Sequence, residues 1–519
     1  MASSFRRISQ IRQFLLILPW IGFAFQCLLS QSGENVISAF LAASGSFLVF
    51  FDAVRSQRFY CYPLSTIVVI GFGITLQLGP LLFTALEGHP IIYNLSVPVA
   101  TFGHSVLSSL ICLLAHAIYR RSKWLLYVRK RAQGIFHQLQ VFRPLSTNEV
   151  LIMGLLGLFS LGFRQWLPAI AGASIVLTKF IQGFQFFSII PIAFFLKYLW
   201  SQEPVTSSIS FRKSLLILLV FMALIVLVGL GRNSRSAFVV PLACLFLGLG
   251  LEWIYGLIKL RLASVLAIGL AFVLILPIVT DLATAMILVR DQRRNISAAE
   301  LLTYTLDSFQ NKDALAEKRF IDRSTGADWD ETYISNIFLA RFANAKYPDN
   351  SLENAARLSS AARDEMASYQ GLMLLSTLPT PLLSLVGVSA SEKLEINSYS
   401  VGDKLYHLAS GSPYALGGFR VGHFSGTGMA GYGFAYLGLL LVAMVLIFPL
   451  VDSHALTTVH GSVLSPQISV VAITQLFAWL TISNTGSVVL LLAFILRGFI
   501  QPVLLFALVH WLLFRIRVS

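Results

Sequence analysis

Runs of about 20 consecutive apolar residues recur along most of this chain, the length an α-helix needs to cross the hydrocarbon core of a bilayer. Membrane barrel strands alternate apolar and polar residues every second position, whereas these runs are continuous, so the segments read as helices. Composition agrees: of 519 residues, 56% are apolar and 12% charged, against about half and a quarter in soluble domains. Soluble, collagenous, disordered and disulfide-framework classes are thereby excluded. Cys27, Cys61, Cys112 and Cys244 all lie in or beside apolar runs and suit neither a staple nor a spaced zinc site.

The runs predict an all-α polytopic membrane protein of about twelve transmembrane helices, near 13–31, 36–54, 64–86, 97–118, 148–163, 179–199, 214–231, 237–257, 263–285, 431–451, 467–483 and 487–513. Nine spans in 1–289 precede a large hydrophilic loop, 290–430, and three follow in 431–519. The first run is preceded by Arg6, Arg7 and Arg12 but followed by no small-residue cleavage site, so it reads as a retained signal anchor. Two segments resist a simple count. From Trp166 to Trp200 the chain is too long for one upright helix, which suggests a break near Lys179 with 166–178 at the interface or re-entering. Leu372–Val388 is apolar but holds Pro379 and Pro381, so it reads as a helix end with an interfacial or re-entrant element. Within the loop, Ala298–Phe309, Thr332–Phe342 and Leu352–Ser368 carry helical patterns, together a small helical cap.

The formal net charge of +14 is a topology signal. Residues 290–430 hold 14 Lys and Arg against 16 Asp and Glu, leaving 24 basic and 8 acidic residues for the remainder, mostly in short loops. With twelve spans, the N-terminus, Arg55, Arg58, the cluster from Arg120 to Arg143, Lys197, Arg212, Lys213, Lys259, Arg261, Arg515 and Arg517 share one face, which the positive-inside rule makes cytoplasmic. Both termini are then cytoplasmic, and loops 32–35, 87–96, 232–236, 286–430 and 484–486 are external.

Arg232 and Arg235, in Gly231-Arg-Asn-Ser-Arg-Ser236, break that charge rule. An arginine pair with Asn and Ser at a helix start supplies forked donors and free amides suited to phosphate oxygens; anchoring to lipid headgroups or pairing with acids of the cap is the alternative. Arg164, Lys179, Arg290, Arg293 and Arg294 fall on the same side, which suggests a cationic pocket where the head of a lipid pyrophosphate would lie. Arg497, about eleven residues into the last span, is either a contact to lipid phosphate or a buried structural donor. The Gly-rich stretch Tyr414–Gly438 places His423 and Arg420 on an external loop, where an imidazole can take a proton from a sugar hydroxyl and a guanidinium can stabilise a departing pyrophosphate. An inert loop histidine is the alternative there. Tyr414, Phe419 and Phe424 suit stacking on a sugar ring. P-loop, GxGxxG and HExxH motifs are absent, and no Asp or Glu sits mid-span, which removes the usual carriers of proton-coupled transport.

The dozen spans, the Gly231–Arg235 segment entering a span, the late external loop and the Gly/aromatic return at Gly428–Gly438, with Tyr432, Gly433, Tyr436 and Gly438, resemble the bacterial Wzy-type oligosaccharide repeat-unit polymerases of O-antigen and exopolysaccharide assembly. The resemblance implies a GT-C-like, metal-independent glycosyltransferase of the inner membrane. It would need no cofactor and would move a glycan from undecaprenyl pyrophosphate onto an incoming lipid-linked repeat unit at the periplasmic face. Expected partners are the lipid-linked oligosaccharide, membrane lipids, a chain-length regulator and a flippase, with no nucleic acid. In that frame Arg232, Arg235, Arg164, Lys179 and Arg290 hold pyrophosphate, Arg420 shares the leaving-group charge, and His423 activates the acceptor hydroxyl in the same pocket. An O-antigen ligase, or a transporter or flippase of lipid-linked sugars, is the competing reading.

Overall fold

Most of the apolar stretches are helical in the computed structural model, which describes residues 2–518 apart from 168–174, 201–210, 260–261, 291–295, 318–328, 337–338, 386 and 461–462. Among the described residues, nine helices are long and apolar enough to cross a membrane, from Arg6–Leu29, Gly33–Ala53, Pro63–Leu86 and Pro98–Arg121 to Phe424–Asp452 and Leu490–Leu513. Polar side chains start many helices where the sequence supplies them: Ser32 caps Gly33–Ala53, and Ser146 with Glu149 forms a capping box on Thr147–Trp166.

The helix ends sort into two sets. At one, the basic end, Arg58 and Arg120 pair with Asp52 at 2.8 and 3.4 Å, and Arg7 donates to the Trp253 carbonyl at 2.6 Å. Asp452, closing one helix, caps the start of another through the Leu64 and Ser65 amides at 3.0 and 2.9 Å. At the other, the cap end, Asp349 accepts from the Ser96 and Val97 amides at 2.9 and 2.7 Å. Glu87 there accepts from the Ser335 and Asn336 amides at 2.9 and 3.0 Å. Residues 52–65, 120, 253 and 452 therefore gather at one end of the described bundle, and residues 87–97, 335–336 and 349 at the other.

Several sequence expectations are refined. The apolar segment before Trp200 breaks at Gly183–Phe184 rather than at Lys179: Ile175–Gln182 is α-helical and Gln185–Phe194 is a 3-10 helix of 10 residues. That thin helix lies directly on Thr147–Trp166, where a Cβ at Gly157 would come within 1.9 Å of the Ser188 nitrogen. The expected interfacial element at 166–178 falls largely on 168–174, outside the described residues. The expected span 467–483 begins instead as a hairpin, β1 Ala455–His460 paired antiparallel with β2 Val463–Ile468, and its helix is only Val470–Leu480. Eleven residues reach about 16 Å, half a bilayer core.

The cap contains Ala298–Gln310, Lys346–Ala356, Ser360–Leu375, Ala390–Ile396 and Val401–Ser410. Ser360–Leu375 stops before Pro379, and only the short helix Thr380–Ser384 follows. Thr332–Phe342 is not the expected helix; a single 3-10 turn, Leu339–Arg341, forms there. Its amides are taken elsewhere, by Glu87 at Ser335 and Asn336 and by Asp330 at Thr332, 2.8 Å.

Candidate anion site at the cap end

The turn after Arg212–Gly231 is held by the Asn233 amide side chain, which donates to the Met286 carbonyl at 2.6 Å while Asn233 itself adopts φ 51°. This turn sends its two arginines to different places. Arg235 enters a polar pocket of about 600 Å³ with Arg290, Arg341, Glu331, Tyr347 and Asn344, walled by Glu87 and Tyr93 and by Thr280 and Thr284 from the end of Leu262–Leu288. Four separate segments, around residues 87–93, 235, 280–290 and 331–347, meet there, all at the cap end.

Three guanidinium groups dominate this pocket. Among the described residues none has a carboxylate within ion-pair distance. Arg235 is half-buried, and burial together with the Arg341 and Arg290 charges pushes it down to about 10. Such mutual repulsion in a concave site is relieved by a bound anion, and forked donors suit phosphate oxygens. Glu331 is the counterpart. Its Oε1 accepts from the Val421 amide at 2.8 Å and from the Trp329 indole at 3.2 Å, leaving Oε2 unpartnered among the described residues. Although its side chain opens to the pocket, the surrounding protein desolvates the carboxyl and raises its pKa, against the lowering by those two hydrogen bonds and by Arg290 and Arg341. Tyr347 beside it is also raised, first by burial and then by Glu331.

Arg232 faces the other way. It donates to the Leu161 carbonyl at 2.7 Å and closes an apolar groove of about 520 Å³ lined by Leu155, Leu158 and Phe159, by Leu224 and Leu227, and by Leu302. Its pKa is lowered by burial and then by Arg164, which stands exposed nearby. Groove and pocket therefore flank one turn, the first apolar and capped by Arg232, the second cationic.

The remaining expected site residues lie elsewhere. His423 does not share a cavity with Arg232 or Arg235. Its ring is 2% exposed: Nε2 meets the Ser483 carbonyl at 3.0 Å and Nδ1 accepts from the Ser425 amide at 3.2 Å, capping the helix that begins at Phe424. Burial pushes its pKa down to about 3, and with both ring nitrogens engaged inside the protein neither is open to a substrate hydroxyl, so the expected base is corrected on geometry. Arg420 is corrected likewise. Its guanidinium meets Asp403 at 3.3 Å, the Ala415 carbonyl at 2.6 Å and the face of Tyr406 at 4.5 Å, with no donor directed into the pocket. Phe424 is wholly buried against Phe72 and Tyr436, unable to stack on a sugar, and Tyr414, 91% exposed, does not line the pocket. Lys179 belongs to neither cavity, and Arg293 and Arg294 lie outside the described residues. Sequence reasoning found Arg235 and Arg290 but missed Arg341, Glu331, Tyr347 and Asn344. For Glu331 and Arg341 the available signal was charge just before and within the segment Thr332–Phe342, without any indication that the segment folds back over residue 235.

No group of three or more metal-ligating side chains occurs among the described residues. Comparisons with protein-family models, curated proteins and solved structures find no match. Helix content, the apolar lengths and the two-ended arrangement define an all-α, multi-pass membrane protein with a helical cap at one end.

Proposed function

We propose that this chain is a glycosyltransferase that polymerises undecaprenyl-pyrophosphate-linked oligosaccharide repeat units at the external face of a bacterial inner membrane. The observation that carries the reading is the convergence of Arg235, Arg290 and Arg341 on one pocket beside a carboxylate with a free oxygen. Beside it, the apolar groove under Arg232 and Arg164 is suited to an isoprenoid chain at the depth where a pyrophosphate emerges.

In this mechanism Glu331 Oε2 takes the proton of the acceptor hydroxyl as that oxygen bonds to the anomeric carbon of the donor. The bond from that carbon to the pyrophosphate oxygen breaks, and the charge left on the pyrophosphate meets the three guanidinium groups. Glu331 thus takes the place that sequence reasoning gave to His423. A chain-length regulator and a flippase are its expected partners.

A deletion strain tests the reaction class. The polymerase reading expects single lipid-linked repeat units to accumulate at the external face. Full-length but unattached polymer would instead identify a ligase, and units retained on the cytoplasmic side a flippase.

A further inference from the structure

At the basic end the apolar helix Pro98–Arg121 runs directly into another, Lys123–Gln138, turning at Ser122, whose hydroxyl accepts from the Leu125 amide at 3.3 Å. One stripe of this second helix faces the protein. Leu125 and Phe136 are buried, and between them Arg129 donates to the Cys61 carbonyl at 2.7 Å and Gln133 to the Ala455 carbonyl at 2.8 Å. Cys61 lies just before the apolar helix that starts at Pro63, and Ala455 just after the one that ends at Asp452, so Lys123–Gln138 lies against the ends of long apolar helices and prolongs none of them. The opposite stripe, Trp124, Tyr127, Arg131 and Ile135, is exposed, its three uncharged members each by more than half. Spacing of this kind marks one face of a helix, and it repeats that of Leu107, Leu110, Leu114 and Ile118, the exposed apolar stripe of the helix that leads into it.

Trp and Tyr concentrate where a membrane helix leaves the hydrocarbon, and the Arg131 guanidinium lies over the Tyr127 ring at 5.8 Å, its stem along the aromatic face. Charge decides which lipid suits this surface. Arg121, Lys123, Lys130 and Arg131 are exposed, and among the described residues none of them has an ion pair. The sequence holds no Asp or Glu between Glu87 and Glu149. Cations of one sign around aromatic and aliphatic anchors complement an anionic leaflet. We propose that Lys123–Gln138 is an interfacial helix seated in the bilayer surface, with Trp124, Tyr127 and Ile135 at the boundary between headgroups and acyl chains and the four exposed cations on the headgroups of anionic phospholipids. This surface is independent of the glycan chemistry at the cap end.

Fluorescence quenching of the full chain in phosphatidylcholine vesicles tests this. The vesicles carry a minor fraction of lipid brominated near the glycerol end of its acyl chains, either phosphatidylglycerol or phosphatidylcholine, and the difference between wild type and Trp124→Phe isolates the emission of Trp124. Brominated phosphatidylglycerol should quench Trp124 about threefold or more as strongly as brominated phosphatidylcholine at the same mole fraction. Salt at about 1 M should bring the two lipids together by screening, a comparison that needs no charge variant. Lys123→Gln/Lys130→Gln/Arg131→Gln should remove the preference at low salt while quenching by both lipids and the melting temperature stay at wild-type levels, because the three side chains are exposed. Equal quenching by the two lipids in wild type at low salt would overturn the anionic assignment, and a preference kept by the triple variant would overturn the role of these cations. Trp124 emission untouched by either lipid would overturn the interface itself and leave the stripe to a protein partner.

Discussion

Arg232 and Arg235 stand in one turn, yet Arg232 closes an apolar groove and Arg235 lines a cationic pocket. Opposed directions from one short segment give a division of labour: a chain-like apolar group on one side, and an anionic head with its sugars on the other.

Arg235 should be sensitive even to a change that keeps its charge. An ammonium lacks the fork that grips two phosphate oxygens, so Arg235→Lys should lower polymer yield by about tenfold and Arg235→Ala by about 100-fold or more. Because Arg235 is repelled by Arg341 and Arg290, neither change should lower thermal stability. Polymer profiles on gels, read against protein level, check the first statement, and melting curves check the second.

Glu331 should set the acid limb of the pH profile. Its carboxyl is raised chiefly by desolvation, and only the ionised form accepts a proton, so activity should fall as pH drops through that raised value. Glu331→Gln preserves acceptors for Val421 and Trp329 but should lower the rate about 100-fold and remove this limb. A rate that keeps its acid limb in the Gln variant would assign the titration to another group.

His423 should matter for folding and not for chemistry. Its pKa is depressed from 6.5 to about 3 by burial, so the unfolded chain gains a proton there first, and the stability contributed by the neutral ring is present above about pH 6.5 and lost as pH falls toward 3. His423→Ala, which strips the cap from the helix at Phe424 and leaves the Ser483 carbonyl unpaired, should cost about 1–3 kcal/mol. Melting curves at several pH values in wild type and variant resolve both effects.

The contrast between His423 and Arg235 shows what the sequence could convey. Hydropathy locates helices because each crossing meets its own length requirement locally, and Arg235 was visible because it violates a charge rule within its own loop. His423 looked like an exposed loop residue because its Gly-rich neighbours suggested open backbone. In the structure Gly426 instead brings that backbone against Ser351, where a Cβ would approach to 2.2 Å, and the ring is buried. Arg341 and Glu331 were not legible for a related reason: their place in the pocket depends on Glu87, remote in sequence, capturing the amides of Ser335 and Asn336 in place of a helix. The half-length helix Val470–Leu480 was read as a longer span because Ile468 of the strand before it and Ile482 of the 3-10 turn after it extend the same apolar run, and periodicity does not mark the ends over so few residues.

Gly157 offers a test of the packing that supports the groove wall. A methyl group there would meet the Ser188 nitrogen, so Gly157→Ala should force the 3-10 helix Gln185–Phe194 away from Thr147–Trp166 at a cost of about 3 kcal/mol. Reduced melting temperature and membrane yield are expected, whereas Gly250→Ala, with open space around it, should be neutral.

Purified protein reconstituted in liposomes with lipid-linked repeat units, and without nucleotide or ion gradient, tests the central claim most directly. Wild type should lengthen the glycan, and Arg235→Ala/Arg341→Ala should leave single units at equal protein level. Undiminished lengthening by that double variant, or no lengthening by active-folded wild type, would contradict the assignment of this pocket to the pyrophosphate donor.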